Sequence, residues 1–210
     1  MRGLVIKDLC IMKQRKNAII MFCAILLIIG VQGDLEFVIS YGTLMFGFLA
    51  QSSVAYDDDG NCMTFLMTLP VTIKEYVREK FIFTGAVVFL GWLLSTILGL
   101  TSNFFKNGVL STQEDLVGAI ITLILFMAIL LAYIPVQLKY GPEVSRIVLV
   151  GAGAVIFIIA LAVTKLNISL PVSLDSISPV AVLLTAILIG VLVIMGAYAW
   201  SVKILKAKEY

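Results

Sequence analysis

The sequence predicts an all-α, polytopic membrane protein with six transmembrane helices, preceded by an amphipathic helix that lies in the membrane interface. Three observations support this class. The 210 residues are 61% hydrophobic and only 13% charged, about half of the ~25% charge that is typical of soluble domains. The mean hydropathy is +1.10, and long apolar runs recur along the chain. Because a soluble domain of this size has too little interior for so many apolar side chains, lipid must solvate most of the chain.

Residues 1–17 are predicted to form the interfacial helix. Four apolar residues can share one of its faces, namely Leu4, Val5, Leu9 and Met12. Four basic residues are placed to meet anionic headgroups, namely Lys7, Lys13, Arg15 and Lys16. A merely solvated basic tail is the alternative. A cleavable signal peptide is disfavoured, because the basic leader is long and no A-x-A site follows the apolar run.

Six apolar runs follow, and a spanning helix needs about 20 residues. They cover approximately residues 18–31, 37–55, 81–100, 116–134, 147–164 and 180–200. The first run reaches only ~21 Å, so it must borrow its flanks or thin the bilayer. The chain 1–210 is therefore expected to form a single transmembrane domain.

The distribution of basic residues predicts the orientation. With the N-terminus in the cytoplasm, thirteen of the fifteen Lys and Arg residues lie on the inner side, and only Lys106 and Lys165 lie outside. We therefore expect a multi-pass protein of the cell membrane with both termini in the cytoplasm.

Several chemistries are excluded or disfavoured by composition. The chain contains no histidine, which excludes Ser-His, Cys-His and HExxH sites. Three scattered cysteines do not form a metal motif, and a net charge of +2 is too small to suggest a nucleic-acid partner. None of the six apolar cores contains Asp, Glu, Lys or Arg, which argues against coupling to an ion gradient. No catalytic, metal or cofactor-binding residues are expected.

The third apolar run carries a ridge of small residues at steps of four, formed by Gly91, Ser95 and Gly99. Such a ridge lets another helix approach closely. It predicts either helix packing within one subunit, which we favour slightly, or a dimer seam.

The segment 56–80, between the second and third runs, combines acidic, apolar and basic residues. Asp57, Asp58 and Asp59 end the second run; such residues usually form a solvated boundary, and they are weak evidence for a metal site. Residues 62–69 are predicted to form about two helical turns, ended by Pro70. Because this short helix is apolar on the water side, it favours a partner surface. Thr72 and Glu75 predict a capping box at the start of the next helix.

These residues resemble a known family. The acidic cluster, the apolar stretch, the run Thr68-Leu69-Pro70-Val71-Thr72 and the following Lys74-Glu75-Tyr76-Val77 and Lys80 resemble the permease subunits of ABC-2 type exporters, in particular their small six-span bacterial branch. The signature there is S-L-P-(aliphatic)-(S/T)-R-x-x-(aliphatic)-V-x-x-K. This chain has Ile73 where the family often has arginine, and Thr68 in place of the usual serine.

The resemblance implies that this loop couples the chain to a cytoplasmic ATPase. The implied coupling residues are Asp57, Asp58, Asp59, Phe65, Leu66, Met67, Leu69, Pro70, Lys74, Glu75 and Arg78. The chain itself lacks the G-x-x-x-x-G-K-[S/T] motif. It is therefore expected to be no enzyme and to need no cofactor, with ATP and Mg²⁺ bound by the partner.

The resulting expectation is the membrane subunit of an ATP-driven exporter, dimeric with a second copy or a homologous permease. Its apolar halves favour a hydrophobic or amphipathic cargo, and the resemblance points to peptides. Two alternatives stay open: a six-span substrate-capturing subunit of a vitamin or micronutrient importer, and a structural membrane protein without transport activity.

Overall fold

A computed structural model describes residues 2–58, 62–68, 71–108, 113–165 and 179–208. The described residues form seven helices and no strand, which confirms the all-α class. The helices are α1 (Arg2–Gln14), α2 (Lys16–Gln32), α3 (Leu35–Asp58), α4 (Cys62–Thr68), α5 (Ile73–Asn107), α6 (Gln113–Lys165) and α7 (Pro179–Ala207). The predicted two-turn helix after the acidic cluster is therefore present as α4.

Helix α5 begins at the predicted capping box. The backbone N–H of Glu75 donates to the Thr72 hydroxyl at 3.3 Å, and the Thr72 N–H donates to the Glu75 carboxylate at 3.0 Å. The helix ends at Gly108, which has the left-handed φ of 69° that a side chain would strain. Its 35 residues reach ~52 Å, longer than the ~30 Å hydrocarbon core of a bilayer, so part of α5 projects beyond the membrane.

The expected six crossings are not confirmed by the described helices. Four of them, α3, α5, α6 and α7, are long and apolar enough to cross a membrane. A fifth crossing is counted if α1 and α2, which meet at a bend of 65°, form one broken span. The runs 116–134 and 147–164, expected as separate spans, both lie in α6, which is interrupted at Gly141 (φ 78°) just before Pro142.

Helix α1 packs on the bundle through one side. Leu4 and Asp8, one turn apart, are buried against the bundle, whereas Val5 and Leu9 are exposed. Helix α1 contacts α3 and α5. Asp8 forms a buried ion pair on this side, described below, which hydrophobic patterning does not reveal.

Helix α3 lies centrally, in contact with α1, α2, α4, α5 and α6. The small-residue ridge of α5 packs against it. A Cβ built on Gly91 would lie 2.4 Å from the Cβ of Phe46, and one on Gly99 would lie 3.2 Å from Leu35 Cδ1. Ser95 is fully buried. The ridge therefore serves close packing of α5 on α3 within the same chain.

Candidate coupling site

A buried ion cluster joins α1, α3 and α5 at the end of the bundle where α4 lies. The ammonium of Lys80 on α5 donates to Asp8 Oδ2 of α1 at 2.6 Å and to the Ser53 hydroxyl of α3 at 2.6 Å. It also lies 2.8 Å from Asp57 Oδ2 of α3. Lys80, Asp8 and Ser53 are fully buried. One ammonium thus connects three helices that are distant in sequence.

Two further side chains complete the cluster. The ammonium of Lys7 donates to Asp57 Oδ1 at 2.5 Å and lies 3.3 Å from Asp8 Oδ1. The hydroxyl of Tyr76, buried on α5, donates to Asp57 Oδ2 at 3.0 Å. Two ammonium groups therefore face two carboxylates, so the buried charges balance. Lys7 pairs within the chain rather than with the headgroups expected from the sequence.

Neighbouring side chains keep Asp8 and Lys7 of α1 ionised. Burial opposes ionisation of Asp8, but the ammonium groups of Lys80 and Lys7 outweigh it and hold the pKa of Asp8 below its usual value. Burial also opposes the charge on Lys7, yet Asp57 and Asp8 raise its pKa above the usual value. Both groups are therefore ionised at neutral pH, as an ion cluster requires.

Glu79 neighbours the cluster but is not neutralised in the same way. It precedes Lys80 on α5 and is buried. Neither of its carboxylate oxygens has a hydrogen-bond donor among the described residues, and Asp8 adds like-charge repulsion. An ionised carboxylate is costly under these conditions. Burial and the neighbouring Asp8 accordingly raise the pKa of Glu79 to about 7, so this carboxyl is partly protonated at neutral pH.

Helix α4 lies beside this ion cluster and has two distinct sides. Met63 and Leu66 are buried in the apolar cluster that also contains Tyr76 and Val77 of α5. Phe65, between them, is 66% exposed. The short helix is thus anchored by two side chains and presents an aromatic ring outward.

The structure separates the coupling residues expected from the sequence into three groups. Asp57 and Leu66 are buried inside the chain, so they offer no docking surface in this conformation. Asp58, Phe65, Lys74 and Arg78 are exposed, and Glu75 forms the capping box. Met67 belongs to α4, whereas Asp59, Leu69 and Pro70 lie outside the described residues.

The sequence does not reveal the ion cluster as a set. Lys80 and Tyr76 appear only as residues of the signature, Asp57 only as a predicted coupling residue and Lys7 only as a predicted headgroup contact, whereas nothing in the sequence marks Ser53. Asp8 carries one available signal, since it is the single acidic residue among the basic residues of positions 1–17. The partner of such a residue cannot be read from one sequence.

The comparison with protein families identifies the class of this protein. The model of the ABC-2 family transporter proteins matches residues 3–206, nearly the whole chain. The chain belongs to the ABC-2 transporter family. No curated protein and no solved structure gives a significant match.

Membership of the ABC-2 family makes this chain a membrane permease of an ABC transporter. In this ABC-2 permease, Ile73, which stands where the signature has arginine, is half-buried and packs against the apolar cluster beneath α4. The first residue of α5 thus contributes apolar contact instead of a guanidinium. The exposed cations nearest to α4 in sequence are Lys74 and Arg78, four residues apart and so on one face of α5.

Proposed function

We propose that this permease is the membrane subunit of an ATP-driven exporter, and that a separate ATPase subunit docks on α4. The observation that carries the proposal is the two-sided packing of α4. Phe65 faces outward, while Met63 and Leu66 anchor the helix to the core. An exposed aromatic side chain is a typical interface anchor, and Lys74 and Arg78 supply charges that can fix the docking orientation.

The ion cluster supports a mechanical role for this region. A movement of α4 would displace α5, because the two helices share an apolar cluster. From α5 it reaches α1 and α3 through Lys80, whose ammonium contacts Asp8 and Asp57. Nucleotide binding to the ATPase would then favour one of two arrangements of the helices, since a partner shifts an equilibrium by its differential affinity for the two states.

The membrane topology that fits this function has six crossings and both termini in the cytoplasm. Helix α6 has 53 residues and would measure ~80 Å if straight, far more than one ~30 Å crossing needs. Its interruption at Gly141 lies among the polar residues Lys139, Glu143 and Arg146. Charged residues at the middle of the hydrocarbon are costly. We therefore assign the two halves of α6 to separate crossings that meet at the cytoplasmic face.

The exporter would act as a dimer with a second copy or a homologous permease, and the cargo path would lie between the two subunits. The predicted spans are apolar, and the described ion cluster lies near α4. A hydrophobic or amphipathic cargo, such as a peptide, suits an apolar path of this kind.

Co-purification with an ATPase tests the proposal. Tagged permease is isolated in mild detergent from the native cell, and vanadate-sensitive ATPase activity is measured per mole of permease. Phe65→Asp is expected to remove most of this activity while the melting temperature stays unchanged, because Phe65 is exposed. Lys206→Glu, an exposed change near the end of α7, is the control and should retain the activity. Wild-type levels of ATPase activity in the Phe65→Asp preparation would show that the docking surface lies elsewhere.

A further inference from the structure

A cavity of about 380 Å³ lies at the junction of α1 and α2 with α3 and α6. Its lining is largely apolar but includes the polar side chains of Arg15, Gln51, Tyr133, Gln137 and Arg146. None of these residues takes part in the ion cluster around Lys80. The cavity therefore needs an explanation of its own.

Two glutamines in the lining have unused acceptors. Gln51 is 3% exposed; its amide nitrogen donates to the Leu130 carbonyl at 2.6 Å, but its side-chain oxygen has no donor among the described residues. Gln137 is 6% exposed, and its side-chain oxygen likewise has no donor there. Buried acceptors without donors are rare and destabilising. Rotation of either amide toward the cavity would let a ligand with O–H or N–H groups donate to its oxygen.

Two guanidinium groups give the cavity a positive charge. Arg15 donates to the Tyr56 hydroxyl at 3.0 Å and lies over its ring, but it has no carboxylate partner among the described ion pairs. Arg146 lies 3.7 Å from Glu143, and both side chains are exposed, so this pair contributes little. Guanidinium groups bind phosphate and carboxylate through charge-assisted hydrogen bonds. The cavity is therefore suited to an anion.

The remaining lining of the cavity is largely apolar and reaches the exposed surface of the bundle. Phe48 and Leu149 line the cavity beside Val150, which is exposed. Ile147 and Val148 on the same part of α6 are exposed as well. An occupant with apolar chains could therefore keep them in the bilayer while its headgroup enters the cavity.

We propose that this cavity binds an anionic phospholipid of the cytoplasmic leaflet whose headgroup carries hydroxyl groups, as phosphatidylglycerol does. The phosphate would pair with Arg15 and Arg146, and the glycerol hydroxyls would donate to Gln51 and Gln137. Basic pockets between transmembrane helices on the cytoplasmic side are suited to such headgroups. The lipid site rests on the cytoplasmic placement of the Gly141 region proposed above, but it requires neither an ATPase nor a cargo.

Native mass spectrometry of the purified full chain tests the proposal with three lipids of equal chain length. Phosphatidylglycerol has the negative charge and the hydroxyls, phosphatidylmethanol has the charge alone, and phosphatidylcholine has neither a net charge nor a donor. We expect affinity to fall in that order. Arg146→Gln should weaken the binding of both anionic lipids about tenfold, the loss of one hydrogen bond to a charged group. Gln137→Leu should abolish only the preference for phosphatidylglycerol over phosphatidylmethanol.

The matched control is Lys203→Gln, which removes an exposed cation of α7 that does not line the cavity. It should bind all three lipids as the wild type does. Equal binding of phosphatidylglycerol and phosphatidylcholine by the wild type would overturn the proposal. The proposal would also be overturned if the Arg146→Gln protein lost its dimer peak in the mass spectrum but bound lipid normally. That result would show that a second copy of the chain covers the cavity.

Discussion

Lys80 of α5 and Asp8 of α1, 72 residues apart in the sequence, form an ion pair of 2.6 Å with both side chains fully buried. The pair fixes the N-terminal helix to the base of a membrane-crossing helix. Because Lys80 also contacts Asp57 of α3, it neutralises two buried carboxylates together with Lys7. Charge pairing therefore adds to the apolar contacts of Leu4 in positioning α1.

Removal of the Lys80 ammonium should strongly destabilise the fold. Lys80→Met leaves Asp8 and Asp57 buried with Lys7 as their remaining cation, and breaking a buried pair in this way costs about 3–5 kcal/mol. We expect a marked fall in the midpoint of thermal unfolding, measured in detergent by tryptophan fluorescence. Adding Asp8→Asn to Lys80→Met should restore part of the loss, since one unpaired carboxylate is removed.

Glu79→Met is the matched control for that experiment. Glu79 is adjacent to Lys80 on the same helix and is also buried, but its carboxylate has no donor among the described residues. Its replacement by an apolar side chain should leave stability unchanged or raise it. If both methionine variants unfold at the same lowered temperature, loss of packing rather than loss of the ion pair explains the effect.

A second prediction concerns the stability of the fold at acid pH. The pKa of Asp8 is lower in the folded protein than its usual 3.8, so the unfolded chain binds the proton more readily. The stabilisation from Asp8 is therefore fully present above about pH 5 and is lost as the pH falls through the folded pKa. The difference in stability between wild type and Asp8→Asn should therefore shrink as the pH falls below about 4.

Unfolding midpoints are compared at each pH in a Glu79→Met background, because burial and the neighbouring Asp8 raise the pKa of Glu79 to about 7 and this carboxyl would otherwise titrate in the same experiment. A gap between wild type and Asp8→Asn that widens on acidification would show that Asp8 is not held ionised by Lys80 and Lys7.

The parts of this architecture that depend on local chemistry could be predicted from the sequence. The capping box of Thr72 and Glu75 needs only two side chains at a fixed spacing, and it begins α5 as expected. The extent of the apolar runs similarly predicted the long helices. The interruption of α6 at Gly141 left the number of crossings open, because length and composition treat the helix as one candidate span.

The parts that depend on distant residues could not be predicted. Asp57 follows an apolar run and looks like a solvated boundary, yet it is buried because Lys80 and Lys7 approach from other helices. Likewise, α4 is apolar on most sides. Its seven residues do not tell whether Phe65 or Leu66 faces the core until α5 is placed beneath it.

A third prediction concerns the contact between α5 and α3. Gly91→Ala places a Cβ 2.4 Å from the Cβ of Phe46, which is too close to the main chain for a simple rotamer change. We expect a destabilisation of about 1–3 kcal/mol from overpacking, measured by thermal unfolding. Gly196→Ala is the control, because its new methyl group meets no atom within 4 Å and alanine favours a helix. If the Gly91 variant unfolds as the wild type does but alters dimer formation, the ridge is a seam between subunits.

The last prediction distinguishes one crossing of α6 from two. Single cysteines at Leu116, Tyr140 and Thr164 are introduced into a chain whose Cys10, Cys23 and Cys62 are replaced by serine. They are labelled with a membrane-impermeant maleimide in intact cells and in inverted vesicles. Two crossings place positions 116 and 164 on the outer side and position 140 in the cytoplasm, since the charged residues around Gly141 avoid the hydrocarbon. One crossing instead places positions 116 and 164 on opposite sides.

Labelling of both end positions from outside, with position 140 labelled only in inverted vesicles, is the expected result. Labelling of position 164 only in inverted vesicles would contradict the six-crossing topology.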